Sequence, residues 1–157
     1  MPALIIESAM VNPRGKSDRL GVAVPNELLN EEWVQIRNQQ TKPFKLDGIE
    51  LMHLVYRTGG KTEQSLVMKL MGTLPPGASL RIHSGRGKPY VDPGTNIYHG
   101  YVNPKSCMFL FQVLKPDKIF LTMRGKLLDV GGYGAPVPVN RRLKRATPIE
   151  KHILSPV

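Results

Sequence analysis

The side chains best suited to nucleophilic, acid–base or metal chemistry in this 157-residue sequence are few: histidines at 53, 83, 99 and 152, and a single cysteine, Cys107. No HExxH or His-x-Glu spacing joins any of them, so no metalloprotease-type or deaminase-type site is spelled out. One cysteine excludes an internal disulfide and a multi-cysteine zinc site. A thiolate nucleophile needs an accessible, electropositive niche. Cys107 instead precedes Met108 and Phe109 and reads as a small core hydrophobe, with His99 or His83 as the partner a reactive thiol would require. Glu31 and Glu32 are adjacent, so in a strand they point to opposite faces and cannot divide acid and base roles. His53 and His83 fall inside strand-like runs, where a polar tip on a packed or solvated face is the ordinary reading. No residue is assigned as catalytic, cofactor-binding or metal-binding, and the chain is expected not to be an enzyme.

Ser84-Gly85-Arg86-Gly87-Lys88 resembles a phosphate loop only superficially. A Walker loop needs glycine where Ile82 stands and Ser or Thr where Pro89 stands, followed by a helix. The cations carry more. Arg81, Arg86 and Lys88 form a candidate basic ridge, with Tyr90, Tyr98 and Tyr101 in the next stretch. Cations interleaved with aromatics bind single strands by charge and stacking. Cations on an outer strand also guard an edge against pairing. Trp33 falls on the Gln35–Arg37 face by alternation, so either another segment covers it, with Pro25–Leu29 as the candidate, or it anchors a partner.

Twenty-two Lys and Arg against twelve Asp and Glu leave a net charge of +10, which favours anionic surfaces over small neutral substrates. Apolar residues make up 41% of the chain, enough for a core. The opening Met1-Pro2-Ala3-Leu4-Ile5-Ile6 has no basic n-region, and Glu7 ends its apolar run. No run approaches the ~20 apolar residues of a membrane span. The expected setting is cytoplasmic, or a particle assembled in the cytoplasm, with no membrane insertion.

The elements that must position these groups are short and β-type. Glu32 to Arg37 alternates, with Val34 and Ile36 on one face. Gly48–Tyr56, Ser65–Met71, Ser79–His83, Lys118–Met123 and Lys126–Val130 follow, with weaker strands at Asn96–Val102 and Met108–Gln112. Thr58-Gly59-Gly60-Lys61 supplies a hairpin, Leu74-Pro75-Pro76-Gly77 a sharp corner, and Arg124-Gly125 a final hairpin turn. Glu27 to Trp33 allows one helical turn at most. Short strands with frequent turns predict an all-β fold, a sandwich or barrel. Val34, Ile36, Leu80, Ile82, Ile119 and Leu121 are the predicted core.

In order along the chain, Val11-Asn12-Pro13-Arg14-Gly15, Glu32-Trp33-Val34-Gln35-Ile36-Arg37-Asn38, Phe44-Lys45-Leu46-Asp47-Gly48-Ile49-Glu50-Leu51, Leu74-Pro75-Pro76-Gly77 with Gly85-Arg86-Gly87, and Pro116–Leu121 with Gly125–Asp129 resemble blocks of the lamin tail domain family. With no heptad rod before it, the chain is similar to a freestanding prokaryotic or viral form rather than a nuclear lamin. The resemblance implies an immunoglobulin-like β-sandwich over residues 1–134 that acts as a binding domain. Composition, with prolines at 136, 138, 148 and 156, sets residues 135–157 apart as a Pro-rich extended tail.

That tail has five cations against one anion, a net +4. Arg141, Arg142, Lys144 and Arg145 are spaced to engage one acidic patch, and Ile149, Ile153 and Leu154 add apolar teeth. The expected function is therefore a non-enzymatic interaction module: an adaptor or structural subunit of a larger assembly, with the tail as a strap on a protein partner. Strap contacts are expected to be intermolecular, so deleting residues 140–157 should barely change the melting temperature. The alternative is a nucleic-acid-binding accessory protein using its basic surface.

Overall fold

The computed structural model describes residues 3–11, 25–104, 117–133, 141–145 and 154–156; of Tyr133 and the last two segments only the backbone is described. Among the described residues the chain is all-β, with one four-residue helix and one 3-10 turn. Strand β1 (Leu4–Val11) is followed by helix α1 (Asn26–Leu29), β2 (Trp33–Asn38), β3 (Phe44–Lys45), β4 (Ile49–Tyr56) and a 3-10 turn at Thr58–Gly60. Then come β5 (Thr62–Lys69), β6 (Thr73–Leu74), β7 (Ser79–His83), β8 (Tyr90–Asp92) and β9 (Ile97–Tyr101). The series closes with β10 (Asp117–Met123), β11 (Lys126–Tyr133), β12 (Arg141–Arg145) and β13 (Leu154–Pro156).

These strands form a seven-stranded sheet, order β13-β12-β1-β2-β7-β9-β8, a four-stranded sheet, order β11-β10-β4-β5, and a β3–β6 ribbon. Pairing is antiparallel except between β7 and β9, where β8 turns back at the sheet edge and lets β9 run parallel to β7. One core lies between the two large sheets. Ile6, Val34, Ile36 and Ile82 from the first meet Ile49, Leu51, Ile119 and Leu121 from the second. Each set occupies alternate positions of its strands, which is how a two-residue period delivers one apolar face.

Of the predicted core, Val34, Ile36, Ile82, Ile119 and Leu121 are buried, while Leu80 is only partly buried against the cluster. Trp33 and Gln35 are buried too, although they face away from Val34 and Ile36. Strand β2 is central, paired along both edges by β1 and β7. On its outer face the side chain of Arg81 from β7 lies against both residues.

Polar side chains fix the joints. Asn38, fully buried, donates through Nδ2 to the carbonyls of Lys42, Leu74 and Pro75 at 2.9, 3.0 and 3.2 Å, and its Oδ1 accepts from Gln40 N at 2.9 Å. One asparagine thus holds the Leu-Pro-Pro-Gly corner against the end of β2. Between the sheets, Asp129 Oδ2 accepts from Ile6 N at 2.8 Å, next to the register shift at Ile6/Ser8. The predicted hairpin turns occur where expected, including Arg124-Gly125, whose φ values of 52° and 78° give the doubly left-handed turn that matches strand twist.

The C-terminal expectation needs correction. Residues 141–145 are strand β12, paired antiparallel with β1 of the same chain from Ser8↔Lys144 to Val11↔Arg141, and β13 pairs with β12. Strand β1 would otherwise present an open edge, and the tail supplies its missing hydrogen-bonding partner. The backbone pairing of residues 141–145 and 154–156 is therefore intramolecular, where the sequence led us to expect intermolecular contacts. Asn12–Gly15, Cys107, the Met108–Gln112 strand, Ile149, His152 and Ile153 lie outside the described residues.

Candidate interaction surface

Helix α1 and the β7–β8 connection build one surface together. Gly85 N donates to Asn30 Oδ1 at 2.9 Å and Arg86 N to Asn26 Oδ1 at 2.7 Å. The Nδ2 groups of Asn26 and Asn30 return hydrogen bonds to Arg86 O at 2.9 and 3.0 Å. On the other side, Gly87 N donates to Asn103 Oδ1 at 3.0 Å, and Asn103 N donates to Gly85 O at 3.0 Å. Three asparagines thus clamp the Gly-Arg-Gly segment by its backbone. The clamp uses the amides of residues 85, 86 and 87, the donors a phosphate loop would offer its ligand.

The two glycines serve close approach rather than backbone conformation, since neither has a positive φ. A Cβ at Gly85 would collide with the side-chain oxygens of Asn26 and Asn30, and one at Gly87 with the Tyr101 ring. Arg86 and Lys88 are left exposed on this fixed segment.

Beneath it runs an aromatic series across β7, β9 and β8. The parallel register sets Arg81 opposite His99 and His83 opposite Tyr101, and β8 sets Tyr90 opposite His99. Rings therefore meet with nearly parallel planes: His83 and Tyr101 at 5.0 Å, Tyr90 and His99 at 4.3 Å, and His83 and His99 edge to edge at 5.1 Å. Tyr90 remains 50% exposed. His83 Nδ1 lies 2.7 Å from Asn30 O and its Nε2 lies 2.8 Å from His99 Nδ1.

Burial holds both histidines below their ordinary value. For His83 the Asn30 carbonyl pulls the other way, while His99 and Arg81 add to the lowering; for His99 Arg81 adds to it and Asp92 opposes it. Burial, and to a lesser degree Tyr90, raises Tyr101.

The expected ridge is divided by this arrangement. Arg86 and Lys88 share the clamped loop. Arg81 instead lays its guanidinium 3.9 Å from the Trp33 ring centroid and donates from Nε to Gln35 Oε1 at 2.7 Å. Arg81 therefore contributes cover to Trp33, where the sequence suggested Pro25–Leu29. His53, also buried, lies in the other sheet with Nδ1 4.0 Å from Asp117 Oδ2.

Serines 79 and 84 donate to Glu7 and Glu32 at 2.6 Å. Both nitrogens of His83 are engaged elsewhere, so the serine–histidine geometry of acyl transfer is not formed there. Among the described residues no group of three His, Cys, Asp or Glu could hold a metal ion, and no helix is long and apolar enough to cross a membrane. A cleft of about 450 Å³, lined in part by Met68, Leu70, Leu80, Val91 and Tyr98, opens between the β5–β6 and β8–β9 segments.

The histidine pair and the asparagine clamp are absent from the sequence reading. Both depend on a parallel pairing and on an approach between residues 26–30 and 85–87, far apart in the chain. The local signal for the clamp is Gly-x-Gly itself, which demands close neighbours or unusual φ. No protein-family model matches the chain, and no curated protein matches it.

Proposed function

We propose that the chain is a non-enzymatic interaction module, built as an immunoglobulin-like β-sandwich of lamin-tail type and serving as an adaptor or structural subunit of a protein assembly. The observation that carries this reading is the asparagine clamp, which holds Arg86 and Lys88 exposed on a segment whose backbone donors are already used. Such a loop offers side-chain charge at low ordering cost to an acidic protein surface. The lamin-tail comparison gains support from Asn38, the last residue of the Glu-aromatic-Val-x-Ile-x-Asn block, which binds the Leu-Pro-Pro-Gly corner of another block.

The reading is tested with wild-type chain and an Arg86→Glu/Lys88→Glu variant as parallel baits in native lysate. A defined set of proteins should be retained by the wild type and lost by the variant, with both melting alike. Equal retention by both would sink the assignment of the surface.

A nucleic-acid accessory role is the second reading, favoured by the half-exposed Tyr90 ring two residues from Lys88. It requires affinity that falls with salt, with a slope of about −0.7 per phosphate contact on single strands. Weak, sequence-blind binding of roughly 10⁻⁴–10⁻⁶ M at physiological salt is the expected outcome for a basic surface alone. Specific binding tighter than about 10⁻⁸ M would put this reading first.

A further inference from the structure

The outer face of the four-stranded sheet breaks the usual alternation. In an antiparallel sheet with one solvated face, outward positions are polar. Here β4 places Ile49, Leu51 and His53 inward and Met52, Leu54 and Tyr56 outward. The register lines up Val130, Phe120, Met52 and Leu66 in one row across all four strands. Among the described residues, none of these seven outward side chains, counting Leu54, Tyr56 and Leu127, belongs to the core cluster. Leu66 and Leu127 are 46% and 52% exposed and the other five are half-buried.

The charge on this face is also unlike the rest of the chain. Its outward strand positions carry Glu50, Lys69 and Lys118, and Glu50 stands opposite Lys69 in register. At the hairpin end Arg57 is paired with Glu63. The middle of the face is thus close to neutral on a chain of net +10, with the further cations Lys61, Arg124 and Lys126 confined to the hairpins at its two ends. Two like-charged copies repel over most of their surfaces, and this is a patch where that repulsion is small.

We propose that this face docks a second copy of the same chain, sheet against sheet about a two-fold axis. The Val130–Leu66 row is self-complementary under that symmetry. Phe120 and Met52 lie at its centre, and each end, Leu66 or Val130, meets the opposite end of the partner row. Aligned sheet packing about 10 Å apart lets the rows interdigitate. Four strands about 4.8 Å apart and roughly eight residues of about 3.3 Å give a footprint of about 500 Å² per copy. Two such footprints total about 1,000 Å², the small end of specific interfaces, so the dimer is reversible.

Sedimentation velocity on the full chain over a wide concentration range tests this. The expected result is a mass rising from 17.5 kDa toward twice that value as concentration increases. Association should persist at high salt, because apolar burial drives it. Leu66→Glu and Leu127→Glu lie at exposed positions toward opposite edges of the face, and each should weaken association at least tenfold without changing the circular dichroism spectrum. The Arg86→Glu/Lys88→Glu variant should dimerise normally, which keeps this proposal separable from the function proposed above. A concentration-independent monomer overturns the proposal. So does a dimer that both glutamate variants leave intact, one that dissolves in salt, or a monomer whose outer face is protected only by a different protein.

Discussion

His83 Nε2 faces His99 Nδ1 at 2.8 Å while His83 Nδ1 faces the Asn30 carbonyl at 2.7 Å. A carbonyl can only accept, so Nδ1 of His83 carries a proton. In the neutral pair His83 Nε2 is then the acceptor and His99 Nδ1 the donor. That leaves His99 Nε2 unprotonated, buried and without a hydrogen-bond partner among the described residues. Adding a proton to either ring puts an N–H on that buried nitrogen, because His99 must then either carry both protons or move its single one to Nε2.

The pair should therefore make the fold acid-sensitive. Both histidines bind protons less readily in the folded chain than the ordinary value of 6.5. Between that value and the lower folded ones, the unfolded chain holds more protons, so stability rises with pH there. The contribution is fully present above about 6.5 and is lost as pH falls. Thermal melts from pH 7 to pH 5 should show a falling midpoint, and His99→Phe, which keeps a ring against Tyr90, should make the fall shallower. A wild-type profile flat over this range would remove the neutral pair from the account.

Asn38 should be among the most costly surface-distant polar positions to change. Asn38→Ala strips a donor from three carbonyls and an acceptor from Gln40 N. Leaving buried groups unsatisfied costs about 1–3 kcal/mol apiece, and partial rescue by water should hold the total near about 3 kcal/mol. Asn38→Asp should be worse, since a carboxylate faces three carbonyl oxygens. Denaturant titration of both variants checks the order; an aspartate variant as stable as wild type would contradict it.

The core was legible because alternation and burial coincide in the flanking strands. Val34 with Ile36, and Ile119 with Leu121, sit at spacing two and both pairs are buried. The turns were legible for local reasons, as at Arg124-Gly125. What local pattern could not convey was which strand lies beside which. The parallel β7–β9 pairing brings His83 to His99, and nothing near either residue announces it. Arg81 read as a free cation because its service to Trp33 and Gln35 appears only once β2 and β7 are neighbours. Basic and proline-rich composition made residues 135–157 read as an unpaired strap, yet β12 is fixed by the edge of β1, a partner more than a hundred residues away.

Truncations within the predicted core should separate its members. Ile119 is fully buried between the sheets, so Ile119→Ala should cost about 2–5 kcal/mol. Leu80 is only partly buried and lines the cleft beside Tyr98, where neighbours can relax into the space. Leu80→Ala should cost about 1–2 kcal/mol, below the range for fully enclosed leucines. Equal losses in urea titrations would mean the cleft is closed in solution.

Deleting residues 141–157 should destabilise the domain, reversing the expectation drawn from composition. Strand β12 pairs with β1 at Ser8, Ala9, Met10 and Val11, and β13 extends the sheet beyond it. Without them β1 becomes an edge. Its backbone groups turn to water, losing a net ~0.5–1.5 kcal/mol per hydrogen bond, offset in part by the entropy of the segment no longer held. A net loss of about 2–3 kcal/mol lowers the melting midpoint by roughly 5–10 °C in a domain of this size. The uncovered strand is also a template for pairing with another chain, so the truncated protein should aggregate more readily. Calorimetry and light scattering on the truncated and full chains measure both effects. If the midpoint holds and the truncated chain stays monodisperse, the β1–β12 pairing contributes nothing to stability, and the strap reading of the tail regains its place.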